Sequence, residues 1–370
     1  MLVGIPKEIK VHEYRVGLAP AGVHELAVRG HGVLVERGAG VAIGFTDADY
    51  VAAGAHIAAS AAEVFERAAL IVKVKEPQPR ECELLREGQI VFAFFHLAPD
   101  PLLAQRLLAS GATCVAYETV RDAVGGLPLL APMSEVAGRM AIQAGMHHLE
   151  IAQGGSGVLL GGVPGVAPGK VAVLGGGVVG ANAAAMAVGL GAQVTVLDRS
   201  LPRLRHLSEL FGNRISTVYA GGHAIEQYIG DADLAVGAVL LPGAAAPKLV
   251  ERRHIAAMRR GSVVVDVAID QGGCFATSRP TTHQEPTYQV DGVVHYCVTN
   301  IPGAVARTAT QALNHATLPH ALALADRGLD ALREDPLLRE GLNVHRGSIT
   351  HPRVAEALGL NVVEPLHALA

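Results

Sequence analysis

Read for the spacing of its apolar positions, the chain is a series of short, unbroken apolar runs separated by stretches of helical period. The first runs are Leu2 to Ile5, Val33 to Glu36, Leu70 to Val74, Ile90 to Phe95 and Thr113 to Tyr117. A helix is expected from Pro20 to Gly30, with Val23, Leu26 and Ala27 on one face. Further helical stretches are expected over 60–69, 80–87 and 100–109. Unbroken apolar runs suit strands covered on both faces, and strands alternating with helices predict a parallel sheet.

Pro132 to Ile151 has helical spacing, with Met133, Val136, Met140, Ala144 and His147 on one stripe. A Gly- and Pro-rich stretch, Gly154 to Gly169, follows it. A second set of runs comes next: Val171 to Leu174, Val194 to Leu197, Ile215 to Tyr219, Leu234 to Val239, Ser262 to Val267 and Val294 to Thr299. After Pro302 the period is helical again from Ala304 to Asp326, with Pro319 expected to kink or break it. This last segment is expected to cross back and complete the first domain. The fold class is therefore α/β, with two Rossmann-like, doubly wound parallel-sheet domains and a cleft between them. Residues 1–130 plus 304–370 form a discontinuous catalytic domain, and 131–303 a nucleotide-binding one.

The run at Val171 leads straight into Gly175-Gly176-Gly177-Val178-Val179-Gly180, then an Ala-rich segment, a second run, and Asp198. Gly175, Gly177 and Gly180 fit G-x-G-x-x-G, in which the glycines serve a tight turn, close approach of a pyrophosphate, and helix–strand packing. The helix that starts there directs N–H groups and a positive dipole end at phosphates. Asp198 ends the next strand, where a carboxylate accepts hydrogen bonds from the adenosine ribose. The cofactor read from this context is NAD. Residues 171–197 carry no charge and are long enough to span a bilayer, but six glycines and two β-rich runs argue against one apolar helix.

Composition narrows the class further. With 370 residues, half of them hydrophobic and 17% charged, the chain suits two domains. A net charge of −4 offers no basic field for nucleic acid or anionic lipid. Lys7, Glu8 and Lys10 interrupt any signal-like opening. Cys82, Cys114, Cys274 and Cys297 lack C-x-x-C spacing, so neither a metal site nor a disulfide framework is expected. The expectation is a soluble, cytoplasmic protein with no nucleic-acid or membrane partner.

In such sheets ligands bind outside the carboxyl ends of strands. Three runs of the first half end at Lys75, His96 and Glu118. Lys73 would share the face of Lys75, which leaves room for one of the pair to be structural. A strand-end lysine can also simply snorkel to solvent, and a histidine among apolar neighbours is often a core residue. An imidazole that titrates near neutral pH is nevertheless the usual acid–base catalyst. Arg15 lies in the charged loop Lys7 to Arg15; such loops are ordinarily solvated, but a guanidinium can grip a carboxylate bidentately. In the second half Asp270 and Asn300 follow strands, and Asp266 reads as a buried, hydrogen-bonded carboxylate. Two cations and an acid–base pair beside a dinucleotide suit a small carboxylate substrate undergoing hydride transfer.

Several strings identify a family. Gly4-Ile5-Pro6-Lys7-Glu8-Ile9-Lys10, Glu13-Tyr14-Arg15-Val16, Val72-Lys73-Val74-Lys75-Glu76-Pro77, Phe95-His96-Leu97, the run Pro128 to Arg139, Asp266 to Gly273 and Tyr296 to Pro302 resemble alanine dehydrogenase along essentially the whole chain. The resemblance implies NAD-dependent oxidative deamination of L-alanine to pyruvate and ammonia, and the reverse, in a homohexamer. It implies that Arg15 and Lys75 bind substrate and that His96 and Asp270 are the catalytic pair. It further implies that Ser134, Val178, Val179, Asp198, Arg203, Val239, Leu240, Val267, Ala268, Ile269, Asp270, Arg279, Val298, Thr299, Asn300 and Ile301 line the cofactor site. Ala220-Gly221 departs from the family pattern, which has a serine near the adenine end.

The chemistry requires a neutral amine before hydride leaves Cα, then addition of water to the iminium and collapse of the carbinolamine. His96 is the expected proton shuttle; Asp270 either orients it or positions water. Two other readings compete. The nucleotide-binding subunit of proton-translocating transhydrogenase also resembles the chain but lacks the histidine of Phe95-His96-Leu97. A non-catalytic NAD-binding protein would have no reason to keep all four candidate residues.

Overall fold

The computed structural model describes residues 1–239 and 246–370. The chain divides into two compact units, Met1–Met133 with Val305–Ala370, and Ser134–Ala304. The first contains β1 (Leu2–Ile5), β2 (Gly32–Glu36), β3 (His56–Ala58), β4 (Leu70–Val72), β5 (Ile90–Ala93) and β6 (Thr113–Ala116). The second contains β7 (Lys170–Leu174), β8 (Gln193–Asp198), β9 (Ile215–Tyr219), β10 (Leu234–Gly237), β11 (Val263–Asp266), β12 (Thr287–Val290) and β13 (Val293–Tyr296). The chain then returns to the first unit with β14 (Leu342–His345) and β15 (Ser348–Ile349).

Among the described residues, the first unit's sheet runs β3-β2-β1-β4-β5-β6-β14-β15 and the second unit's runs β9-β8-β7-β10-β11-β13-β12. Both orders start at the middle, wind to one edge, then jump back and wind to the other. That is the doubly wound pattern, and each sheet has one switch point, β1/β4 in the first and β7/β10 in the second. All of β1 to β6 pair in parallel, as do β7 to β11 and β13 in the second sheet. The far edges depart from an all-parallel sheet: β14 is antiparallel to β6, β15 to β14, and β12 to β13.

The apolar runs form strands because both faces are covered. Every residue of β4, β5, β6, β10, β11 and β13 is buried. Several strands stop two or more residues before their apolar runs do. Beyond β4, pairing continues through single bonds, Lys73 N–H to Phe92 O at 3.1 Å and Phe94 N–H to Val74 O at 3.1 Å. The connecting helix covers Ala131–His148 and the returning helix Ala306–Arg327. The latter is unbroken at Pro319. It anchors the loop after β1: the side chain of Asn314 accepts from Ala19 N–H and donates to Gly17 O at 2.9 Å.

Candidate functional site

In the second unit the switch point is built from glycine. Gly175 leaves β7 with φ +96°, and a Cβ there would lie 2.7 Å from Ala238 O on the neighbouring strand exit. A Cβ on Gly180 would meet Gly175 O at 1.8 Å, so the helix Val178–Gly189 closes on the turn through that missing atom. A Cβ on Gly177 would meet nothing among the described residues within 4 Å. Among the described residues no side chain caps this helix, and the first N–H groups of a helix have no partner within it.

Asp198, the last residue of β8, accepts Gly176 N–H at 2.6 Å and Ser200 N–H at 2.7 Å. An ionised carboxylate has about four lone-pair sites, so roughly two remain for a ribose diol. Arg203 donates from Nε to Gly176 O and from Nη2 to Gly177 O at 3.3 Å. Acid and guanidinium therefore brace the turn from the end where adenosine would bind. Gly138 lets the connecting helix approach the Val179 carbonyl, where a Cβ would stand only 2.2 Å away; Ser134 lies one turn earlier on that helix, half-buried.

The other second-unit candidates also follow strand ends. Val239 leaves β10 half-buried, while Leu240 lies outside the described residues. Val267, Ala268, Ile269 and Asp270 form a 3₁₀ turn after β11, with Asp270 exposed. Asp266 is fully buried at the root of this turn and accepts from Ala268 N–H at 3.1 Å, Cys274 N–H at 2.9 Å and Ser278 Oγ–H at 2.6 Å. Burial pushes its carboxyl up, against the opposing pull of those hydrogen bonds. Val298 and Ile301 are buried, Thr299 and Asn300 half-buried, and Asn300 has φ 58°. Arg279 is exposed, its guanidinium 4.0 Å from the Tyr288 ring centre.

The first unit's candidates follow three neighbouring strands of its sheet, Arg15 after β1, Lys75 after β4 and His96 after β5. The loop after β1 packs onto the end of β4, where a Cβ on Gly17 would stand 2.2 Å from Val72 O. Three charged residues of this loop, Glu8, Glu13 and Arg15, turn inward, while Lys7 stays exposed. Arg15 is 2% exposed, and Glu13 takes its Nε–H at 2.7 Å and Nη2–H at 2.5 Å, while Nη1 lies 2.9 Å from Met133 Sδ. Such a two-point pair fixes the plane of the guanidinium.

Lys73 is the structural lysine. It is fully buried, with Nζ 3.1 Å from Glu8 and 2.8 Å from Glu81. Burial pulls its ammonium pKa down, but the two carboxylates outweigh that and the net shift is upward. Glu8 is pushed up by burial, which Lys73 only partly offsets. The same Glu8 carboxylate accepts Val74 N–H at 2.6 Å and Lys75 N–H at 3.3 Å, so it sets the backbone from which the half-buried Lys75 projects. His96 follows β5 with φ 49°, stacked on Phe94 at 5.6 Å between ring centres. Its side chain is 46% exposed, within reach of solvent protons.

Two family models match in tandem: the alanine dehydrogenase/PNT N-terminal domain over residues 4–137 and the C-terminal domain over 141–352. The chain belongs to the alanine dehydrogenase/PNT family. It is 60% identical to an alanine dehydrogenase of Halomonas elongata, over 98% of each chain. A solved L-alanine dehydrogenase is 52% identical with TM-score 0.95, covering 97% of this chain and 99% of that one. A solved transhydrogenase from Sinorhizobium meliloti is 26% identical with TM-score 0.82, covering 95% and 99%.

For this family member, the sequence alone gave no role to the acids that hold the candidates: Glu13 on Arg15, Glu8 beneath Lys75, and Glu118 behind His96. The signal was there in part, since Glu13 precedes Arg15 by two residues and Glu118 ends an apolar run. Among the described residues no cluster of His, Cys, Asp or Glu is arranged to hold a metal ion, and no helix is long and apolar enough to cross a membrane.

Proposed function

We propose that this chain catalyses the reversible, NAD-dependent oxidative deamination of L-alanine to pyruvate and ammonia. The observation that carries the reading is that Arg15 and Lys75 follow β1 and β4, the strands of the first unit's switch point, and His96 follows the adjacent β5. In this reading the first unit binds substrate and the second binds NAD. Gly175, Gly177, Gly180, Asp198 and Arg203 would hold the dinucleotide, with Ser134, Val178, Val179, Val239, Leu240, Val267 to Asp270, Arg279 and Val298 to Ile301 lining its site. When bound, NAD supplies the hydride acceptor.

The remaining work falls to side chains. Arg15, its plane fixed by Glu13, and Lys75 hold the substrate carboxylate. His96 takes the proton that leaves the amine or the carbinolamine hydroxyl and passes it to solvent. Asp270, exposed on its turn, orients water or ammonia. The assembly is a homo-oligomer, hexameric by resemblance and cytoplasmic; the exposed apolar side chains of Ile151, Leu159, Val163 and Val166 suit a subunit contact.

Purified protein is expected to reduce NAD with L-alanine, faster in alkali because more amine is neutral, and to oxidise NADH with pyruvate and ammonium. NAD is expected to be preferred to NADP, because Asp198 repels a 2′-phosphate. Absence of turnover in both directions, with NAD still bound, would refute the reading.

A further inference from the structure

Three consecutive strands of the first unit lead to a polar residue at their carboxyl ends: Lys75 after β4, His96 after β5 and Glu118 after β6. The proposed reaction uses the first two. We propose that Glu118 is the positioning residue for His96, acting as a backbone acceptor. The inference rests on His96 being the proton carrier.

β5 and β6 pair in register up to Ala93 opposite Ala116. Beyond that point the two chains part. One turns into the 3₁₀ segment Tyr117–Thr119, and the other runs through Phe94 and Phe95 to His96. The Glu118 side chain, 14% exposed, spans the gap. It accepts Phe95 N–H at 3.2 Å and 3.3 Å through its two oxygens, and His96 N–H at 2.6 Å through Oε1. Those bonds hold His96 at φ 49°, a conformation that residues with a Cβ rarely adopt. An extended backbone at this position would send the imidazole elsewhere.

Oε1 also lies 4.0 Å from His96 Nδ1, which is beyond hydrogen-bond range. The main action of Glu118 is therefore on the peptide rather than on the ring. The turn that presents Glu118 is itself tied down, since Asn343 of β14 donates to Thr119 Oγ1 at 2.8 Å.

Backbone positioning separates two conservative variants. Glu118→Gln keeps the reach and loses the charge; Glu118→Asp keeps the charge and loses the reach. Glu118→Gln is expected to retain kcat to within about fivefold, the difference between a charged and a neutral acceptor. Glu118→Asp is expected to lose on the order of 10²-fold in kcat, the cost of a misplaced catalytic group, with KM for NAD and for alanine little changed. In a His96→Ala background, Glu118→Asp is expected to cost nothing more. Equal losses in Gln and Asp, a loss confined to Gln, native kcat in Asp, or an additive double variant would each overturn the inference. His96→Ala with native kcat would sink the acid–base reading and this inference together; a dead His96→Ala beside an active Glu118→Asp would sink the inference alone.

Discussion

Lys73 and Lys75 stand two positions apart at the end of one strand, yet their surroundings give them opposite work. Lys73 is sealed between Glu8 and Glu81, while Lys75 is half-buried beyond the strand end. Removing a partner from a buried ion pair costs more than the pair is worth, because the other charges stay behind without compensation. Lys73→Ala is therefore expected to lose about 3–5 kcal/mol of stability in urea unfolding. Lys75→Ala should unfold like the native chain and instead lose about 2–5 kcal/mol in kcat/KM for pyruvate. The reverse pattern would exchange the two roles. The sequence placed both lysines on one face; only Glu8 and Glu81, distant along the chain and close in space, tell them apart.

At the scale of the element, the turn between β7 and its helix assigns each glycine a separate task. Gly177 has φ −63° and no described residue within 4 Å of its missing Cβ, whereas a Cβ on Gly180 would overlap Gly175 O. Gly177→Ala should fold with an unchanged Tm and lose NAD affinity, because its methyl would occupy the path of the pyrophosphate. Gly180→Ala should lose about 1–3 kcal/mol of stability from overpacking as well as NAD affinity. Calorimetry and NAD titration of the two variants check this, and undiminished affinity in Gly177→Ala would mean the pyrophosphate lies elsewhere. The motif and its strands were legible because each requirement is local. β14 was not: Asn343 and His345 break the apolar pattern, although both are buried and hydrogen-bonded, Asn343 to Thr119 and His345 to Thr113 at 2.8 Å.

Across the whole molecule, burial leaves a set of histidines that resist protonation. His148, His295, His320, His345 and His351 all have imidazole pKa values lowered from 6.5, with burial the largest cause in each. A lowered folded pKa means that the unfolded chain binds more protons as the pH falls through about 6.5, so stability declines with acidification. The buried carboxyls of Glu8 and Asp266 are shifted upward and act with the opposite sign, from the ordinary carboxylate range up to their raised folded values. With five imidazoles set against two carboxyls, Tm is expected to fall as the pH drops through the imidazole range, between about pH 7 and about pH 5.5. A flat Tm across the acidic interval would mean that water reaches these imidazoles.

Apolar runs, a glycine turn ended by an acid, and charged residues at strand ends are properties of neighbouring positions. The sequence by itself therefore determined the α/β class, most of the strands, the nucleotide motif and the candidate residues. The doubly wound order and the return of the last long helix to the first domain were also expected from it; what needed the tertiary structure was the antiparallel far edges and the contacts by which Ala306–Arg327 anchors the loop after β1. The inward turn of Glu8, Glu13 and Arg15 belongs with these. A charged loop reads as solvated surface until its partners are known. Whether a charge is buried depends on what can neutralise it, and for Glu8 that group is Lys73, sixty-five residues away.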